Sequence, residues 1–290
     1  MNFNSSSKIL SDKDLWFLQT KLSIKEIIRV QNLLTGKYLF EFSELNLEKI
    51  AKLCNLNINY ETIHKKDYEK NILSFQNLEK IIYRKWEHPC LLAYQYYGNL
   101  QILKKPKIGI IGSRKPTFYG RKIASDFSKE LAIAGCTIIS GGAIGIDSIA
   151  NAVAFEYGNT CAIIGSGLKQ LYPTSNLSLF NKMMCAENSL LMSEFHQYCT
   201  PKKWNFPRRN ISIAAICDFI LVVEAGKTSG SLITANAAID LGCNVGAIPG
   251  DITSSNSEGC NQLIKNGAYC IQSPKDILEI INSLSYISRG

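Results

Sequence analysis

The sequence predicts an α/β protein: an open, mostly parallel sheet wrapped by helices and preceded by a small all-α domain. From Ile108 onward, short β-rich apolar runs alternate with segments of helical periodicity, the pattern of strand, crossover helix and next parallel strand. Residues 12 to about 85 carry helical spacing alone. With 290 residues, 46% of them hydrophobic and 19% charged, the chain has the length of about two domains. It is not a disordered or collagenous composition.

In the first segment, Ser23-Ile-Lys-Glu26 has the form of a capping box, Ile27, Ile28, Leu33 and Leu34 follow at helical spacing, and Gly36 supplies a stop. A second short helix is expected over Leu45 to Cys54 and a third from about Tyr68 to Lys85. We take 1–85 as the helical domain, 86–107 as a linker with a lead-in strand, and 108–290 as the α/β domain. In the last, strands are expected at Ile108–Ile111, Thr137–Ile139, Thr160–Ile164, Leu190–Met192, Phe219–Val223, Val245–Ile248 and Tyr269–Ile271. Helices are expected at Tyr119–Ala134, Asp147–Tyr157, Leu232–Leu241 and Pro274–Leu284. No fixed-period repeat interrupts them.

Ten cysteines without a Cys-x-x-Cys pair read as reduced core residues, and three scattered histidines (His64, His88, His196) form no zinc signature. No metal and no cofactor are expected. No apolar run approaches membrane-spanning length and the N-terminus lacks a signal h-region, so a cytosolic location without membrane contact is expected. The net charge of +8 permits an anionic partner. The charge is focused: 107–122 holds five basic residues and 195–217 four, and neither window has an acid.

Ligands of such sheets bind at the C-terminal ends of strands, where glycines admit the backbone and a helix N-terminus faces the anion. Four loops qualify: Gly112-Ser113-Arg114, Ser140-Gly141-Gly142-Ala143-Ile144-Gly145, Gly165-Ser166-Gly167 and Gly226-Lys227-Thr228-Ser229-Gly230-Ser231. The first lacks the dinucleotide fingerprint. The fourth holds Gly-Lys-Thr but has Leu221 where a Walker A loop needs glycine, which excludes a P-loop ATPase. Arg114, directly after a strand and glycine, reads as a phosphate clamp, against the alternative of a structural ion pair. Residues 202–210 interleave cations with two aromatics and read as a loop that grips a single strand by charge and stacking, against the alternative of a solvated loop whose rings cap the core. The candidate contacts are Gly112, Ser113, Arg114, Lys115, Gly141, Gly142, Gly145, Lys202, Lys203, Phe206, Arg208, Arg209, Asn210, Ser229, Gly230, Ser231 and Thr234. None is expected to be catalytic.

These pieces, together with Tyr119-Gly120, Gly145-Ile-Asp147, Gly167-Leu168, Tyr172-Pro173, Ser193-Glu194, Phe206-Pro-x-Arg-Asn210, Val223-Glu-Ala225, Ser229-Gly-Ser-Leu-Ile-Thr-Ala235, Pro249-Gly250, Asn261-x-Leu-Ile and Gly267-Ala268, stand in one order across about 106–271. In that order the sequence resembles the bacterial DNA-processing protein A (DprA/Smf) family. The resemblance implies an extended Rossmann-like domain that binds single-stranded DNA, forms homodimers and loads a RecA-type recombinase during natural transformation. It also implies a sterile-alpha-motif-like N-terminal domain. Three positions depart from the family pattern: Ile211 where arginine is usual, Asn151 where histidine is common, and Gly142-Ala-Ile before Gly145. The chain ends soon after its last expected helix, so the winged-helix module of many relatives is not expected.

The leading reading is a binding protein without turnover. Its rival is an enzyme of related nucleotide-processing families that hydrolyse N-glycosidic bonds, which needs a carboxylate beside the phosphate loop. Asp147 is the candidate for that role, with helix capping as its other reading. A small-nucleotide sensor is the third.

Overall fold

The computed structural model describes residues 93–287, Ile72–Ser74 and the single positions Val30 and Leu78. The expected helices at 23–36 and 45–54 lie outside the described residues, apart from Val30, which is helical. The chain divides into two compact units, Met1–Lys80 with Glu87–Gln95 and Ile81–Trp86 with Tyr96–Gly290. In the first, β1 (Ile72–Ser74) pairs antiparallel with Ala93–Gln95 of β2 (Ala93–Gly98). This corrects the helix expected across 68–85 at residues 72–74: local helical spacing there yields to a cross-strand pairing.

The second unit is built on β3 (Lys107–Ile111), β4 (Thr137–Ser140), β5 (Asn159–Ile163), β6 (Ser189–Ser193), β7 (Phe219–Val222), β8 (Asn244–Ala247) and β9 (Tyr269–Cys270). The spatial order of these strands is β6-β5-β4-β3-β7-β8-β9, and every pairing among them is parallel. Strands enclosed on both faces are apolar throughout rather than alternating, and β3, β4, β6 and β7 are buried at every position. The expected strands are present, each within a residue or two of the observed bounds.

Among the described residues seven α-helices wrap the sheet: α1 (Phe118–Ile133), α2 (Ile146–Tyr157), α3 (Leu177–Cys185), α4 (Asn205–Ile216), α5 (Gly230–Asp240), α6 (Glu258–Lys265) and α7 (Pro274–Ile287). In α1 the buried positions Gly120, Ala124, Phe127, Leu131 recur at helical spacing, and the Thr117 hydroxyl accepts the Gly120 N–H at 3.2 Å. This face joins Ile108, Ile110, Ile138, Phe219 and Leu221 of the sheet with Ala150 of α2 and Ile277 of α7 in one core cluster. A second cluster, Ala162, Ile164, Phe180, Met183 and Leu191, seats α3. The helices α4 and α5 pack against β3, β5, β7 and β8.

Three helices escaped the sequence reading. The most consequential is α4, because the sequence pattern of 202–210 predicts a loop whereas the helix starts at Asn205. Its Pro207 falls in the first turn, where a missing N–H breaks no intrahelical bond, so proline there marks a helix start and not an interruption. Of the described cysteines, Cys136, Cys161, Cys217, Cys243 and Cys260 are buried, and Cys185 and Cys270 are exposed. Among the described residues no helix is long and apolar enough to cross a membrane.

Candidate nucleic-acid interface

The strand order reverses at β3, with β4 on one side and β7 on the other. Loops leaving the ends of these two neighbours diverge and open a crevice. Here the crevice is a cavity of about 730 Å³. Ile111, Gly112, Ser113 and Arg114 form the β3 wall; Gly226, Thr228, Ser229, Gly230, Ser231 and Thr234 form the wall made by the β7 loop and α5; Lys203 comes from the turn before α4, and Phe206, Arg209 and Asn210 come from its start.

The β7 wall ends in a helix N-terminus. Ser229 caps α5 by accepting the Ser231 N–H, and its hydroxyl lies 2.7 Å from that of Ser231. The positive end of the helix dipole and two hydroxyls therefore border the cavity, which is the arrangement that holds a phosphate. Across from it, Arg114 is exposed, with its guanidinium 5.6 Å over the Phe206 ring. The loops after β3 and β7 are tied behind the cavity by buried Glu224, which accepts the Thr117 N–H at 2.9 Å on one oxygen and the Thr117 hydroxyl on the other. In the sequence Glu224 stands out only within Val223-Glu-Ala225, because its partner is 107 residues away.

The Ser140–Gly145 loop departs from expectation. Gly141, Gly142 and Gly145 do not line the cavity. The Gly141 N–H is taken by Asp147 Oδ2 at 3.1 Å, the Gly142 carbonyl accepts from Asn176 Nδ2 at 2.9 Å, and the Gly145 carbonyl accepts from the Ser148 hydroxyl at 2.9 Å. Of this loop only Ala143 lines the cavity, and the Gly141 and Ala143 amides are both taken by Asp147. Gly145 sits at φ +88°, and a Cβ there would fall 2.3 Å from the Ser113 carbonyl, which makes glycine the residue that brings the two loops together.

Arg208 and Arg209 are both engaged with buried oxygens of the protein. Arg209 is 4% exposed; its Nη1 donates to the Gly141 carbonyl and, at 2.6 Å, to that of Ile163. It staples the ends of β4 and β5 to α4 and also lines the cavity. Arg208 Nε pairs with buried Glu194 at 2.5 Å, and Glu194 also accepts from the Ser212 hydroxyl at 3.0 Å. An arginine facing a desolvated carboxylate is committed to it. Lys115 and Lys202 are exposed but lie outside the cavity lining. Asn210 joins α4 to α5 through a 3.3 Å bond to the Gly230 carbonyl.

Phe206 is half-buried. Its ring fills the space a Cβ on Gly165 would need, and it meets the Tyr172 ring at 5.9 Å between centroids with a 53° tilt. Tyr172 and Thr228 also line the cavity; the sequence signals them only as members of the Tyr172-Pro173 pair and the Gly226–Ser231 loop.

Asp147 borders the cavity but its carboxylate is buried. It accepts the amides of Gly141 and Ala143, residues of the preceding loop, so it caps that loop and not its own helix. Burial pushes its pKa up, while Arg209 and these amides pull it down. Burial likewise raises Glu194 against the pull of Arg208, and lowers Arg209 to about 10. Asn151 stands in the core, donating to the Thr160 hydroxyl at 2.9 Å and the Cys161 carbonyl at 3.1 Å, remote from the cavity lining. Among the described residues no group of three or more His, Cys, Asp or Glu is placed to hold a metal ion.

The family model described as DNA recombination-mediator protein A matches residues 59–282. The chain is similar to DNA processing protein DprA of Bacillus subtilis, 39% identical over 184 residues that cover 63% of this chain and 61% of that protein. It is also similar to protein Smf of Escherichia coli, 39% identical over 183 residues covering 63% and 49%. It thus spans about half to two thirds of the length of these relatives. Among solved structures it is similar to DNA processing protein A from Streptococcus pneumoniae (30% identity, TM-score 0.80, 94% of this chain and 98% of that one). A second is DNA processing protein A from Helicobacter pylori, described for its single-stranded DNA binding mode (28% identity, TM-score 0.62, 74% and 96%).

Proposed function

Because the chain belongs to the DNA recombination-mediator protein A family, we propose that it binds single-stranded DNA at the cavity between β3 and β7, protects the strand and loads a RecA-type recombinase onto it during natural transformation. The observation that carries the binding is the convergence of Arg114, Lys203 and the α5 N-terminus on one cavity with Phe206 in its wall. Cations and a helix N-terminus bind the backbone, which every sequence shares, and no base-edge reader is required. Partners are a single strand, a recombinase and a second copy of the chain. Exposed Ile239 on α5 and Tyr269 in edge strand β9 supply apolar surface for a homodimer.

We read the protein as lacking turnover, with no cofactor. Asp147 is the carboxylate at the cavity, and its oxygens already serve two amides beside Arg209. Groups that hold a phosphate equally before and during a reaction do not accelerate it. The test is fluorescence anisotropy with labelled oligothymidylate at low salt, competed with nucleoside monophosphates and followed by a search for released base. Tight oligonucleotide binding, weak mononucleotide competition and no free base are expected. Base release lost in Asp147→Asn with binding intact would establish the N-glycosidase reading instead.

A further inference from the structure

Trp204 has no part in the cavity lining, yet it is 70% exposed on the turn that carries Lys203 into that lining. Bare indoles on folded domains are uncommon, since a ring of this size gains more from burial than any other side chain. The turn holding it is tied down by hydrogen bonds at Asn205. The Asn205 N–H donates to the Lys202 carbonyl at 2.9 Å, and the buried Asn205 side chain donates to the Gly165 carbonyl at 3.0 Å. Lys202 Nζ lies 5.3 Å over the indole, and the window 195–217 has no acid.

From this geometry we infer that Trp204 and Lys202 form a separate stacking site for a nucleotide that flanks the cavity, so that the strand continues over the start of α4 after leaving it. A preordered ring costs little further ordering when a base stacks on it, and the lysine beside it meets the adjoining phosphate. The inference rests on the cavity binding single-stranded DNA, and it adds a ring and a site size to that reading.

The experiment titrates the wild-type chain, Trp204→Ala and Trp204→Phe with a series of oligothymidylates from the dinucleotide upward, following anisotropy and intrinsic fluorescence. Trp204→Ala should bind the shortest oligomers like wild type and the longer ones roughly 5- to 150-fold more weakly. Trp204→Phe should restore most of the affinity while losing the fluorescence quenching that stacking on the indole produces. Wild-type affinity of Trp204→Ala for long oligomers would overturn the inference and leave the cavity reading intact. Equal losses at every length would place the ring in the main site and overturn it too. A wild-type chain that binds no oligothymidylate removes both readings.

Discussion

The guanidinium of Arg114 lies 5.6 Å over the ring of Phe206, and that of Arg209 lies 5.9 Å from the same centroid. The two cations share a ring but not a role, because Arg114 is exposed at the cavity and Arg209 is buried among carbonyls. Phe206 therefore packs against both an exposed cation and a buried one.

Arg114→Ala should weaken oligothymidylate binding by about 1.5 to 3 kcal/mol, the range of a hydrogen bond to a charged group. It should also flatten the dependence of log affinity on log salt by roughly 0.7, the share of one phosphate contact on a single strand. Lys122→Ala is the control: its ammonium pairs with Asp126 at 2.5 Å on the exposed face of α1. That variant should change affinity little. Anisotropy titrations at several salt concentrations check both values.

Phe206→Ala should lower affinity and stability together. The ring packs on Gly165 and Tyr172 as well as under Arg114, so its loss leaves a gap in the wall and frees the clamp. A binding cost of about 1 to 3 kcal/mol is expected if a base stacks on it, and urea denaturation should show a reduced midpoint.

Arg209→Ala should act mainly on stability. It strips the Gly141 and Ile163 carbonyls of their partner and leaves Asp147 buried without its cation, a loss of about 3 to 5 kcal/mol. Gly141→Ala should be harmful by the same route, since its Cβ would fall 2.6 Å from Asp147 Oδ2 and 2.7 Å from Arg209 Cζ. Urea unfolding of both variants measures the losses.

The pH dependence has a definite sign. Burial raises Asp147 from an ordinary 3.8 and Glu194 from 4.5, so each binds more proton folded than unfolded between its two pKa values. Their contribution to stability is full below the ordinary values and is lost as pH rises through the raised ones. Asp147→Asn removes one such group, so its stability relative to wild type should increase with pH across that window, as read by urea unfolding at a series of pH values.

The alternation of apolar runs and helical spacing from Ile108 determined the parallel sheet, and the glycines after β3 and β7 marked the two loops that form the cavity. Those signals are local: period and glycine position are written within a few residues. The fates of the three arginines are not local. Arg114, Arg208 and Arg209 look alike in sequence, yet one faces the cavity, one pairs with Glu194 14 residues away, and one bonds carbonyls 68 and 46 residues away. The start of α4 was hidden for a related reason, since Asn205 is anchored by the Gly165 carbonyl 40 residues earlier. Which cation meets solvent and which meets a buried oxygen is decided by burial, and burial exists only once distant segments have packed.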